Sequence, residues 1–162
     1  MTKIRVGIGY DAHRFTESPD GNKVILCGVE IPCKYSIIAH SDGDVALHAL
    51  TDAILGSISA GDIGIHFPPS DERWKNADSK QFLKFANQLL LDKGGSINNV
   101  DLILICEVPK ISPHKDKFIK SIASILGISE EDVSVKATTT EKMGFTGREE
   151  GIACQAIVCV SF

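Results

Sequence analysis

Asp11 and His13 stand two residues apart at the end of an apolar run, and His48 lies near the start of a later helical segment. One carboxylate and two imidazoles form a donor set suited to zinc. Three protein ligands with a free fourth position characterise catalytic zinc rather than structural zinc. From Ile4 to His13 the large apolar residues occupy even positions, while Arg5, Gly7, Gly9, Asp11 and His13 occupy odd ones. A strand sends alternate side chains to opposite faces, so Asp11 and His13 project from the same side. Gly7 and Gly9 leave that side bare, so that the backbone there is open to close approach. Each of the three residues alone reads more simply as a surface carboxylate or a hydrogen-bonded histidine; the combination favours a metal.

Two further stretches carry chemistry. His40-Ser41-Asp42-Gly43-Asp44 precedes a helix start, where free N–H groups and the helix dipole welcome anions. Ser41, Asp42 or Asp44 serves equally well there as a helix cap. Lys136-Ala137-Thr138-Thr139-Thr140-Glu141 runs into a glycine-spaced loop ending at Arg148. Consecutive threonines alone signal only strand propensity. With the acid and the arginine they suggest a phosphate cradle: hydroxyls and the Arg148 fork suit phosphate oxygens, and Glu141 suits Mg²⁺.

The elements that must position these groups follow from periodicity. Val24–Cys27 and Val29–Ile31 read as short strands around a bend at Gly28, with Pro32 ending the second. A helix over roughly residues 45–58 has Leu47, Leu50, Ile54 and Ile58 on one stripe. Asp44, His48 and Asp52 line up on another face, and Asp52 either orients the His48 ring or faces solvent. Residues 61–78 read as an irregular loop. A second helix starts after Asp78, with Gln81 completing the cap, and Lys93-Gly94-Gly95 closes it. Val100–Val108 reads as a central strand, and Ser112-Pro113 opens a third helix that Gly127 ends. Val133–Ala137 and Ile152–Val160 complete the set. This order predicts one α/β (α+β) domain over residues 1–162, a mixed sheet with helices packed on one face. The other face is left for self-association.

The chain has 162 residues, 43 % hydrophobic and 23 % charged, with net charge −4. That balance argues against a nucleic-acid surface, which needs a basic stripe. No apolar run approaches ~18 residues, so no membrane span is expected. Met1-Thr2-Lys3 leads straight into a strand, so no secretory signal is expected either. Cys27, Cys33, Cys106, Cys154 and Cys159 form neither a CxxC pair nor an even framework, which suits a reducing cytoplasm.

The blocks Gly9–His13, Ala39–Asp52, Gly61–Gly64 and Val135–Arg148 closely resemble the 2-C-methyl-D-erythritol 2,4-cyclodiphosphate synthase family. The resemblance runs essentially end to end. It implies a cytoplasmic, homotrimeric lyase of non-mevalonate isoprenoid synthesis with active sites between neighbouring subunits. The substrate implied is 4-diphosphocytidyl-2-C-methyl-D-erythritol 2-phosphate, a cytidine diphosphate-linked small molecule, and the products are the cyclic diphosphate and CMP. By position, Asp11, His13 and His48 resemble the ligands of one zinc ion per subunit, and Glu141 that of a Mg²⁺ or Mn²⁺ ion. His40 and Thr139 match positions credited with transition-state stabilisation. Ser41, Asp62 and Gly64 match contacts to the methylerythritol phosphate end, and Asp11, His13, His40, Ile63, Phe67, Asp71 and Glu141 match substrate-binding positions as well. Cys106, Pro109, Lys110, Ile111 and Ser112, with Thr138, Thr139 and Thr140, resemble the cytidine and phosphate pocket, and Phe145 and Arg148 match further binding positions. Pro69 stands where many relatives carry an acid.

Such a reaction is an internal phosphoryl transfer. The attacking phosphate has a second pKa of about 6 and is already mostly dianionic at neutral pH, so no strong general base is required. Positioning and charge neutralisation remain. Two other classes suit the same residues: a zinc phosphoesterase acting through metal-bound hydroxide, and a nucleotide-binding module whose zinc only staples the fold.

Overall fold

A computed structural model describes residues 2–17 and 23–162. The first strand, β1 (Ile4–Thr16), is long because its alternation is unbroken. β2 (Lys23–Leu26) and β3 (Val29–Pro32) form a separate antiparallel hairpin that pairs Leu26 with Val29. Cys27 and Gly28 are its two-residue turn, both at positive φ (54° and 74°), the backbone that matches strand twist in such hairpins. β4 (Ser36–Ile38) pairs with Arg14–Thr16 at the outer edge of β1, a strand that hydropathy alone did not predict.

Helix α1 (Val45–Ser57) follows, capped by the side chain of Asp44, with Ile58 just outside it. Residues 61–78, expected to be irregular, contain the short helix α2 (Ile63–His66) and a 3₁₀ turn at Glu72–Trp74. Asp62 and Asp71 supply their caps, accepting N–H groups of Ile65 and Arg73. Helix α3 (Lys80–Asp92) begins where Asp78 was expected to cap it, but the cap position is Ser79. β5 spans Ser96–Ile105 rather than Val100–Val108: a bulge between Ile97 and Asn99 masks its start, and the chain leaves the sheet after Ile105. A 3₁₀ turn at Ser112–His114 leads into α4 (Lys115–Leu126), closed by Gly127 in the left-handed region. β6 (Val133–Thr138), the short α5 (Gly144–Gly147) and β7 (Gly151–Ser161) complete the chain.

The main sheet runs β4-β1-β7-β5-β6, parallel only between β5 and β6, so it is mixed. α1 lies on β1 and β7, and α4 lies beside β6. Leu47, Leu50, Ile54, Leu83, Leu102, Leu104, Phe118 and Val158 are among the buried side chains of one continuous core. The opposite face of β1 is bare: Ile4, Val6, Ile8 and Tyr10 are 55–64 % exposed, and Ile8 pairs with the similarly exposed Ile157. No described helix is long and apolar enough to cross a membrane.

Gly7 and Gly9 set the depth at which α1 sits. A Cβ on either would stand 1.8 Å from a backbone oxygen of α1, that of Ala53 or Ala49. The helix backbone therefore rests directly on the strand backbone, which carries His48 over Asp11 and His13.

Candidate metal centre

Strand alternation places Asp11 and His13 on the α1 side of β1, and His48 descends from the first turn of the helix. Asp11 Oδ2 is 3.0 Å from His13 Nε2 and 3.0 Å from His48 Nδ1, and the two ring nitrogens are 3.1 Å apart. Among the described residues this is the one His/Cys/Asp/Glu group whose ligand atoms converge on a common point. Zinc bonds of about 2.0–2.2 Å in a tetrahedron separate neighbouring donor atoms by roughly 3.3–3.6 Å. The observed triangle needs to open by only a few tenths of an ångström, so these residues fit the ion. Burial raises the Asp11 carboxyl, but hydrogen bonds and attraction from His13 and His48 outweigh it and hold the group well below the usual carboxylate range. An ionised carboxylate facing two imidazoles is the form a cation requires.

The helix start is fixed from behind. Asp44 is fully buried and accepts N–H groups from Leu47, Cys27 (both 3.0 Å) and Gly28 (2.6 Å). One carboxylate thus caps α1 and ties it to the β2–β3 turn. Burial pushes the Asp44 carboxyl up to about 6, and bonds from Gly28 and Leu47 offset part of the rise.

The outward nitrogen of His48 meets Ser79 Oγ at 2.7 Å and Ser41 Oγ at 3.1 Å. Asp52 is not its partner, nor does it face solvent as the alternative had it. It is half-buried, and its carboxylate accepts the Ile63 N–H at 2.7 Å, tying the loop after α1 to the helix. Ser79, His48 and Asp11 have the spacings of a nucleophile–base–acid triad. Ser79 has no exposed surface, however, and its hydroxyl donates to Asp42 Oδ1 at 2.5 Å, so it does not act as a nucleophile.

Beside the triad lies a cavity of about 260 Å³ lined by His13, His40, Ser41, His48, Ile63, Gly64 and Phe67, with Ala39, Pro69, Trp74 and Phe82. Trp74 and Phe82, the latter expected only on the apolar stripe of its helix, join Phe67 in an aromatic cluster with ring centroids 4.6–5.9 Å apart. Their spacing reads as ordinary core, so no sequence signal singled them out. Asp62 and Asp71 do not line this cavity. Besides its cap, Asp71 forms an ion pair with Arg73, which holds its carboxyl below the usual range.

A second cavity, about 210 Å³, is lined by Cys106, Pro109, Lys110, Ile111, Ser112, Thr138 and Thr139, joined by Glu107 and Ala137. Burial pushes the Cys106 thiol up to about 12, so it lines this cavity as an uncharged group. In the sheet His13 pairs with Ile152, and Ile105 pairs with Ala153 and Thr138. His13 and Thr138, one from the lining of each cavity, therefore lie at the same end of the sheet, three strand spacings or roughly 14 Å apart. Phe145 lines a small cleft with His13 and Arg14. Thr140 is turned inward, donating to Met143 O and meeting Thr146 Oγ1. Glu141 is exposed at positive φ and accepts from Thr139 Oγ1 at 3.4 Å, outside the triad's donor set. Arg148 is paired with Glu150.

The model of the YgbB family matches residues 4–161. The chain is 57 % identical over 158 residues to the bifunctional enzyme IspD/IspF of Paramagnetospirillum magneticum, covering 98 % of this chain and 41 % of that protein. It is 54 % identical over 155 residues to 2-C-methyl-D-erythritol 2,4-cyclodiphosphate synthase of Xanthomonas campestris pv. campestris, covering 96 % and 93 % of the two. The IspF of Plasmodium falciparum, solved as a CDP complex, superposes with a TM-score of 0.85 at 38 % identity, covering 97 % and 95 %. The chain thus spans about two-fifths of the bifunctional relatives and nearly all of the shorter ones.

Proposed function

This chain belongs to the YgbB family, and on that footing we propose that it converts 4-diphosphocytidyl-2-C-methyl-D-erythritol 2-phosphate to 2-C-methyl-D-erythritol 2,4-cyclodiphosphate, releasing CMP. The observation that carries this reading is the convergence of Asp11, His13 and His48 beside a cavity, in a chain so similar to a synthase along its length. The CDP complex of the Plasmodium relative supports a cytidine diphosphate-linked ligand.

In this reading the 2-phosphate attacks the β-phosphorus of the diphosphate, and the bond to CMP breaks. Asp11, His13 and His48 would hold a zinc ion and Glu141 a Mg²⁺ or Mn²⁺ ion, which when bound would supply Lewis-acid charge where phosphate oxygens crowd together. The remaining work belongs to the chain. Ser41, Ile63, Gly64 and Phe67 hold the methylerythritol end in the first cavity. Its apolar wall keeps out water that would otherwise compete with the internal nucleophile. His40 and Thr139 donate to phosphoryl oxygens as their charge builds. The second cavity, with Cys106, Pro109, Lys110, Ile111 and Ser112, takes the cytidine. Bringing the two reacting ends together contributes roughly 7–11 kcal/mol through effective molarity.

The enzyme works as a homotrimer, each active site joining the metal centre of one subunit to the cytidine pocket of the next. The exposed apolar face of β1 and β7 supports such an assembly. The five free cysteines suit the reducing cytoplasm. Incubation with the cytidyl substrate, Zn²⁺ and Mg²⁺, followed by phosphorus NMR, tests the proposal. CMP and a cyclic diphosphate are expected; CMP with a linear bisphosphate would indicate a phosphoesterase instead.

A further inference from the structure

We propose that Asp42 and Ser79 are positioning residues that fix the tautomer of His48, reserving its Nδ1 lone pair for a divalent metal. The proposal rests on the metal reading above and adds two residues that touch neither ion nor substrate.

The geometry fixes the Ser79 proton, and Ser79 is the nearer of the two hydroxyls at the outer His48 nitrogen, 2.7 Å against 3.1 Å for Ser41 Oγ. Asp42 Oδ2 accepts the Ser79 backbone N–H at 2.9 Å, and Oδ1 accepts the Asp44 N–H at 3.1 Å. Those donors cannot reverse direction, and a carboxylate offers only acceptors. The single Ser79 hydroxyl hydrogen is therefore committed to Asp42 Oδ1. With that hydrogen spent, Ser79 Oγ can only accept from His48 Nε2, 2.7 Å away. With zinc bound and the ring neutral, the ring proton then sits on Nε2 and the Nδ1 lone pair is left for the ion; without metal, Nδ1 lies within hydrogen-bond reach of the Asp11 carboxylate. Ser79 is fully buried and His48 is 8 % exposed, so water has little access to replace the serine.

Local structure supports the assignment. Ser79 occupies the N-cap position of α3, yet its hydroxyl makes no capping bond. The N–H groups a capping hydroxyl would take, those of Gln81 and Phe82, go to the backbone carbonyls of Asp78 and Ser79, leaving the Ser79 hydroxyl free to turn toward His48. Carboxylates and carbonyls behind metal-bound histidines act in the same way, and their loss weakens metal binding about 10–100-fold. Here a serine is interposed between the carboxylate and the ring.

The test uses the full chain, ¹⁵N-labelled, with a zinc titration against a chromogenic chelator. Long-range ¹H–¹⁵N spectra of the zinc-loaded protein are expected to show His48 protonated at Nε2 and zinc on Nδ1. Ser79→Ala, with its fold checked by circular dichroism, is expected to bind zinc about 10–100-fold more weakly. Ser79→Thr, which keeps the hydroxyl, is expected to recover most of that loss. A merely structural bond between α3 and the 40–44 loop would lower the melting temperature without moving the tautomer or the affinity. Zinc on His48 Nε2, or a folded Ser79→Ala with wild-type affinity, would overturn the relay alone. A wild-type chain that takes up no zinc would overturn the metal reading and the relay together. Should Ser79→Ala fail to fold, the wild-type spectra decide the tautomer by themselves.

Discussion

Gly9→Ala changes no ligand, yet it is expected to disable the metal centre. The new Cβ would stand 1.8 Å from Ala49 O, against the 3.4 Å of ordinary contact, so α1 must retreat by about 1.6 Å or the strand must bend. His48 follows Ala49's neighbouring backbone outward. Metal sites tolerate deviations of about ±0.2 Å, so a shift of this size breaks the triangle of 3.0–3.1 Å separations. Overpacking of this kind costs typically ~1–3 kcal/mol. At ~2–4 °C per kcal/mol for a chain of this size, 3 kcal/mol lowers the melting temperature by roughly 6–12 °C. Zinc affinity from chelator competition, read beside a thermal melt, is the assay. Gly7→Ala meets Ala53 O one turn further along and serves as the control: similar destabilisation, smaller loss of zinc affinity. Wild-type zinc affinity in Gly9→Ala would refute the claim that glycine-mediated backbone contact sets the height of His48.

His48→Ala is expected to keep its fold, since the buried core of α1 remains, and to lose CMP release; circular dichroism and a CMP assay check both. An unfolded variant would favour a structural metal instead. The Asp44 carboxyl, pushed up to about 6 from its ordinary 3.8, binds a proton more tightly folded than unfolded. Its contribution is therefore complete below about pH 4 and is lost as pH rises to about 6, a change of about 3 kcal/mol. Urea unfolding at stepped pH should show wild-type stability falling relative to Asp44→Asn over that window, and a constant difference would count against it. Ile8→Glu puts a charge in the middle of the exposed apolar face and is expected to yield monomers in sedimentation with secondary structure unchanged; an intact trimer would move the interface elsewhere.

The period-two pattern of β1 made the shared face of Asp11 and His13 legible, because alternation survives any tertiary context. The α1 helix was equally legible, from its stripe and from the acids before it. Ser36–Ile38 and Gly144–Gly147 were not: three or four residues carry no period, and these elements exist through pairing with β1 and through the backbone turns at Glu141, Lys142 and Gly144. Asp52 shows the limit of helical spacing. Its alignment with His48 is real, but a loop N–H reached it first. Asp42 and Ser79 lie 37 residues apart, and nothing local joins them. Their contact arises only once α3 has packed beside the loop before α1. The pocket aromatics Trp74 and Phe82 were hidden for a different reason, since an apolar side chain reads the same whether it fills a core or walls a cavity.

Running the reaction in ¹⁸O-enriched water tests the central claim most directly. Attack by the substrate's own phosphate breaks the link to CMP without consuming water, so mass spectrometry should find neither CMP nor the cyclic diphosphate carrying solvent label. One ¹⁸O atom in CMP or in a linear bisphosphate, appearing at the rate of CMP release, would contradict it.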